Sequence, residues 1–325
     1  GVGYLVLHEN CFPEKVSPFP VGVTLQALLN HSRLKSIGKD GPVWAFKILS
    51  ADQAEPAREK TAFMKVGFPS RRREFERSAL SPAAVKHEEP TAVSGGYVRL
   101  SETGASVQLP NTQTAMDNPM AWWVRTRGHG KVAVSIIVDG ATNAAVGLAL
   151  DSEAWAWRTV AVPTQSATRV ISALFAWDGG SAVELDSASL VSGDWVSPAP
   201  GEAIEWPAAS FFHAGYTERD LQSVVLRKSF EPAEAVLYGP NLPLDPGTYF
   251  LTLVFDSEVP KGTHLGQLEL READGRETVR SVPVIVHGRA GLAWEQEDNK
   301  PFCMAFRFSR MTDVRLDRVR LVRAP

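Results

Sequence analysis

The chain is expected to be mainly β, with two β-sandwiches in tandem preceded by a small α/β segment, and three observations point that way. First, Val183-Glu184-Leu185-Asp186 followed after three residues by Leu190-Val191, and Val314-Arg315-Leu316-Asp317 followed after three by Leu321-Val322, share the pattern x-V-x-L-D-x-x-x-L-V. Each copy ends a β-patterned block of roughly a hundred residues, which suggests one architecture used twice. Second, both blocks are strings of short alternating runs cut by Gly, Asn, Asp and Pro, the composition of turns between half-buried strands. Third, 325 residues exceed one ordinary core and suit two domains of about 100 to 150 residues plus a smaller piece. The expected division is 1–60 for the α/β segment, 61–80 for a linker, 81–197 for the first sandwich, 198–210 for a second linker and 211–325 for the second sandwich.

Residues 1–49 open with a continuous apolar strand, Tyr4 to His8. Val23, Leu25, Leu28 and Leu29 then recur at helical spacing, with Thr24 near the start, and predict a helix from Val23 to Asn30. Leu34 to Ile37 and Val43 to Ile48 follow as two strands around the turn Lys39-Asp40-Gly41-Pro42. A unit this small supports little core alone, so it either ends a domain begun upstream or packs on its neighbours. Residues 50–80 are rich in Arg and Glu and read as a linker with a short helix near Arg72 to Leu80.

In the first block, Gly95 to Leu100 and Ala105 to Pro110 are strands across the turn Glu102-Thr103-Gly104, and six further runs extend to Val191. About eight short strands indicate a two-sheet sandwich, with Val132, Val134, Ile136 and Val138 on an inner face. In the second block, Pro246-Gly247-Thr248-Tyr249 is a turn that launches an alternating strand to Phe255, because Pro presets φ and Gly tolerates the left-handed region. The runs Gln267 to Arg271, Ser281 to His287, Phe302 to Phe308 and Val314 to Val322 complete its sheets.

Composition narrows the function classes. No apolar run nears the roughly 18 residues of a membrane-crossing helix, so no membrane insertion by this chain is expected. With 34 Lys and Arg against 37 Asp and Glu the formal charge is −3. The one dense basic cluster, Arg71 to Arg73 with Arg77, is interrupted by Glu74 and Glu76, which speaks against nucleic acid as a partner. Cys11 and Cys303 lie in different segments outside any metal-type spacing; zinc is not expected, and whether the two pair stays open. Gly1 to Leu7 lacks the basic region and cleavage site of a signal peptide and enters directly as a strand. The chain therefore reads as a piece of a longer protein, with a preceding domain among its expected contacts.

Several runs resemble known families. The order Gly95-Gly96-Tyr97-Val98, Trp122-Trp123-Val124-Arg125, Val138-Asp139-Gly140, Trp155-Ala156-Trp157 and the Leu185-Asp186 ending is similar to family 6 and family 35 carbohydrate-binding modules, which are galactose-binding-like jelly rolls. The run from Tyr238-Gly239-Pro240 through Leu242-Pro243-Leu244 to Pro246-Gly247-Thr248-Tyr249 resembles jelly-roll domains attached to bacterial sugar-active proteins. Gly3 to His8 with Val43 to Ile48 resembles a strand-helix-hairpin in extracytoplasmic regions of bacterial envelope glycosyltransferases. The resemblance implies an extracytoplasmic bacterial fragment whose parent is a glycoside hydrolase or glycosyltransferase. It also implies a structural calcium held by acidic residues of the first strand and the Asp of the last, here Glu88, Glu89 and Asp186. Adjacent glutamates replace the family's Glu-x-Glu, and alternation sends them to opposite faces, leaving one usable ligand.

A sugar site needs an exposed flat ring to cover a pyranose C–H face and polar side chains to bond its hydroxyls. Trp155 and Trp157 flank a strand start, Trp177 is expected in a loop by Asp178-Gly179-Gly180, and Trp294 in a polar loop, 290–300, with Asn299; loop-tip tryptophans are the candidates. These five are the candidate carbohydrate ligands, whereas one of Trp122 and Trp123 is expected to face inward and neither to serve as a platform; a Trp in a sandwich is more often core. His8-Glu9 follows a strand, yet no nucleophile elbow, phosphate loop or metal spacing accompanies it, so catalysis by this chain is not expected. The expected function is non-catalytic binding of a polysaccharide or glycan. The alternative is a pair of structural or protein-interaction sandwiches bracing a catalytic or membrane domain.

Overall fold

The computed structural model describes residues 3–11, 19–55, 68–69, 72–114, 119–163, 165, 169–192, 195–272, 277–286 and 288–325, and the fold is mainly β. The chain divides into two units, one made of Gly1–Val66 with Val196–Pro325 and the other of Gly67–Trp195.

The first unit joins the α/β segment to the C-terminal sandwich. Strands Tyr4–His8, Val43–Ile48 and Leu34–Asp40 form an antiparallel sheet with Val43–Ile48 in the centre. Helix Val21–Asn30 starts two residues before the expected position and ends at His31, which turns extended. Its Leu25 packs against Leu7, Trp44 and Phe46, with Leu28, Leu29 and Leu221 at the margin of that cluster. The same segment is tied to the sandwich by a polar clamp: Glu9 is buried, accepts the Trp44 indole N–H on one oxygen and accepts the Thr217 backbone N–H on the other at 2.8 Å. Burial pushes the Glu9 carboxyl above its ordinary range, against the pull of these donors. Glu9 and the Leu25 cluster thus meet Thr217 and Leu221, a reach in sequence that periodicity cannot register.

Two sheets make the sandwich of this unit. One contains Tyr216–Thr217, Val224–Leu226, Val314–Arg323, Gly247–Asp256 and Arg289–Gln296; the other contains Phe212–His213, Ala235–Pro243, Pro301–Phe308, His264–Arg271 and Thr278–Ile285. Inward residues alternate along each strand, as in Tyr249, Leu251, Leu253 and Phe255, which is what a period of two delivers to a core. The expected linker 198–210 instead contributes strand Ala203–Pro207, paired along Val314–Arg323. Its Trp206 is fully buried beside Phe211 and Phe302, so burial of one indole converts a Pro-rich connection into part of the sheet.

The second unit is organised by two long strands, Met120–Val138 and Val170–Ser192, which pair antiparallel along most of their length. Strands Ala141–Ala149 and Ser152–Val162 flank the first, and Gly96–Leu100 with Val85–Glu88 extends from the second. The two long strands shift register near Thr126, Gly128 and Gly130. There the backbones come so close that a Cβ on Gly130 would collide with the Ser181 carbonyl oxygen and one on Gly128 with the Ala182 carbonyl oxygen. Glycine permits that approach and lets the bulged strands bend.

The expected linker 61–80 also carries strands. Phe68–Pro69 and Arg73–Glu74 pair with Val170–Ser192, and Ala79–Leu80 pairs with Ser106–Gln108. In place of the expected helix stands a single 3-10 turn, Phe75–Arg77, whose Phe75 is buried edge-on against Phe175. Cys11 is exposed and Cys303 buried, and no disulfide joins them.

Candidate functional site

The densest group of charged and aromatic side chains in the second unit forms where the sequence motif ends. On strand Met120–Val138 the positions Trp123, Arg125 and Arg127 share one face, while Trp122 and Val124 fill the core on the other. Strand Ser152–Val162 lies alongside, with Trp157 opposite Arg125 and Thr159 opposite Trp123. On the other flank, the register slips between Val124 and Thr126 so that Asp186 and Ser187 together face Arg125. This bulge points Asp186 into the protein, where it is 0% exposed.

Asp186 accepts a hydrogen bond from Arg125 Nη1 at 2.5 Å and from the Val93 backbone N–H at 3.1 Å. Arg125 Nη1 also donates to the Thr91 carbonyl at 3.0 Å, and Thr91 Oγ1 accepts the Trp155 indole N–H at 3.1 Å. The stretch 91–93 is thus laid over the charge pair. Arg127 donates to both oxygens of Glu89, through Nη1 at 2.8 Å and through Nη2, and its Nε donates to Glu184. Its guanidinium sits 4.3 Å from the centre of the Trp155 ring and 5.3 Å from that of Tyr97, within cation–π range. Tyr97 meets Trp155 edge-on and stacks on His87.

Two opposite electrostatic environments result within one cluster. The Arg127 hydrogen bonds hold the Glu89 carboxyl down at about 2, whereas burial pushes Asp186 up to about 6 despite Arg125. Glu74 is likewise raised by burial, and its charge adds to the rise at Asp186.

Of the expected site residues, Trp155, Trp157, Glu89 and Asp186 are brought to this face. Trp155 and Trp157 are half-buried. Glu88 is exposed on strand Val85–Glu88, opposite Gly96. Among the described residues no group of three or more His, Cys, Asp or Glu side chains could hold a metal ion. The expected calcium ligands do not fit that ion here, because guanidinium groups already occupy the inner faces of Glu89 and Asp186. Arg125 and Arg127, which sequence reading did not single out, supply the positive charge.

The other expected residues lie elsewhere. Trp177 belongs to the continuous strand Val170–Ser192, opposite Val132, is half-buried and donates its indole N–H to the Ser181 carbonyl at 3.3 Å; it is not on a loop tip. Trp294 is a correction. It stands on strand Arg289–Gln296, 7% exposed, stacked between Tyr249 and Phe302, so its faces are closed to a sugar. Polar neighbours in sequence suggested a loop, but alternation places Ala290, Leu292 and Trp294 inward together. Asn299 is half-buried in the short link that follows.

No protein-family profile and no curated protein matches the chain. Among solved structures it is similar to a family 35 carbohydrate binding module from Clostridium thermocellum, at 15% identity over 37% of this chain and 97% of that one, with a TM-score of 0.31. The module CsCBM6-3 from Clostridium stercorarium, solved with cellobiose, matches at 13% identity over 38% of this chain and 94% of that one, TM-score 0.29. A Paenibacillus xanthan lyase matches at 13% identity over 92% of this chain but 32% of its own, TM-score 0.29. At these values the likenesses carry no argument about what the chain binds.

Proposed function

We propose that the chain binds carbohydrate without catalysing a reaction, as an ancillary part of a larger extracytoplasmic protein, and that Trp155 is the platform. The observation that supports this is the posture of its ring: half-exposed, anchored by its indole N–H to Thr91 and backed by the Arg127 guanidinium. A ring fixed in this way loses little entropy on binding and lies beside charged hydrogen-bonding groups. Trp157 and the half-buried Trp123 extend the same face. The second reading, a bracing or protein-interaction sandwich, draws support from the mutual saturation of Arg125, Arg127, Glu89, Glu184 and Asp186.

A panel of glycans and insoluble polysaccharides, screened with the intact chain in calcium and in chelator, separates the two. Binding weakened about tenfold or more, ~1.4 kcal/mol, by Trp155→Ala, with no effect of chelator, is the expected result. Binding unchanged by Trp155→Ala, or no binding to any glycan, would favour the bracing role.

A further inference from the structure

The outer face of the first unit's sandwich carries a basic stripe with an aromatic at one end. Strands Ala203–Pro207, Val314–Arg323, Gly247–Asp256 and Arg289–Gln296 lie side by side there. Register aligns Glu205, Arg320, Thr252 and Gly291 in one row across them, and Pro207, Arg318, Val254 and Arg289 in the next. On the preceding row Phe250, 47% exposed, lies between Val322 and Ala293. Strands about 4.8 Å apart put Arg318 and Arg289 about 10 Å from each other across Val254. Arg318, Arg320 and Arg289 are all exposed, against one carboxylate on these rows, Glu205, at 3.4 Å from Arg320 and 3.9 Å from Arg318. Such solvent-exposed pairs are worth little and exchange readily for an incoming carboxylate.

We infer that this face is a binding site for an acidic polysaccharide, its carboxylates taken by Arg289, Arg318 and Arg320 and one sugar ring resting on Phe250. Guanidinium forks match carboxylates in two-point geometry, and the exposed ring gives the stripe a contact that a bare polyanion does not use. This site lies in the other unit from Trp155 and stands independently of the reading given above.

The test measures affinity of the intact chain for polygalacturonate, with fully methyl-esterified polygalacturonate and duplex DNA as parallel probes. Expected are binding to the acid form alone at low salt, loss of at least tenfold in Arg289→Gln/Arg318→Gln/Arg320→Gln, a severalfold loss in Phe250→Ala, and a severalfold gain in Glu205→Gln. Trp155→Ala should leave this affinity unchanged. All five side chains are exposed, so an unaltered melting temperature accompanies each variant. No binding at low salt, binding indifferent to the triple substitution, or DNA bound as tightly through the same arginines would overturn the inference.

Discussion

Asp186 and Asp317 occupy the same place in the same ten-residue motif and meet different fates. Both stand on the long closing strand of their unit, and both fall at a slip of register: Asp186 between the pairs Val124 with Ala188 and Thr126 with Leu185, Asp317 between Val254 with Arg318 and Phe255 with Leu316. Yet Asp186 is buried against Arg125, while Asp317 is half-exposed, accepting from Ser223 Oγ at 3.2 Å beside Arg315 of its own strand. The difference comes from the partner strand, which offers Arg125 to one bulge and the apolar Val254-Phe255 step to the other. A motif can place a bulge; the residue across it decides whether the bulge holds a charge inside or turns it to water.

The strongest way to break the contrast is to remove one cation. Arg125→Met leaves Asp186 buried without its cation, which is expected to cost about 3–5 kcal/mol in unfolding of the second unit at neutral pH. Asp317→Asn should stay within about 0.5 kcal/mol in the first unit. Differential scanning calorimetry of the intact chain reads both, and equal losses would dissolve the comparison. The glycines sharpen it next. Gly130→Ala, driven into the Ser181 carbonyl at the crossing of the bent strands, is expected to cost about 1–3 kcal/mol. Gly291→Ala on the first unit's open face meets only ordinary contacts, the nearest at 3.7 Å, and should be neutral within about 0.5 kcal/mol.

A pH dependence at Asp186 and Glu89 offers a further test in the second unit. Asp186, raised in the fold to about 6 from 3.8, binds more proton folded than unfolded between those values, so its contribution to stability falls as pH rises from 4 to 6. Glu89, lowered to about 2 from 4.5, contributes stability above its unfolded pKa that is lost as pH falls towards 2. Melting of Asp186→Asn beside the parent at pH 4 and pH 7 should show the parent losing ground at the higher pH; parallel curves would contradict the assignment.

Much of this architecture was legible beforehand because its cause is local. Alternation in Tyr249 to Phe255 and in Val132 to Val138 marked strands that the structure contains, and the turn chemistry at Pro246-Gly247 marked the start of the first of these. The two linkers were misread for a physical reason: Phe75 stands among charges and Trp206 follows a Pro-rich run, and burial of these rings outweighs the composition beside them. Trp294 was misplaced because the acids near it were read as a loop, although its spacing from Leu292 and Ala290 already carried the inward period. Arg125 and Arg127 had a signal too, since they share parity with Trp123 on a strand whose other face is core.

By itself, then, the sequence determined where the long alternating strands run and that two blocks close on the same motif, because period and turn chemistry act over a few residues. Only the tertiary structure decided that Glu9 reaches Thr217, that Arg125 stands across from Asp186, and which indoles keep a face to solvent. Those outcomes depend on groups about 60 to more than 200 positions apart meeting in space, which a pattern that acts over a few residues does not specify.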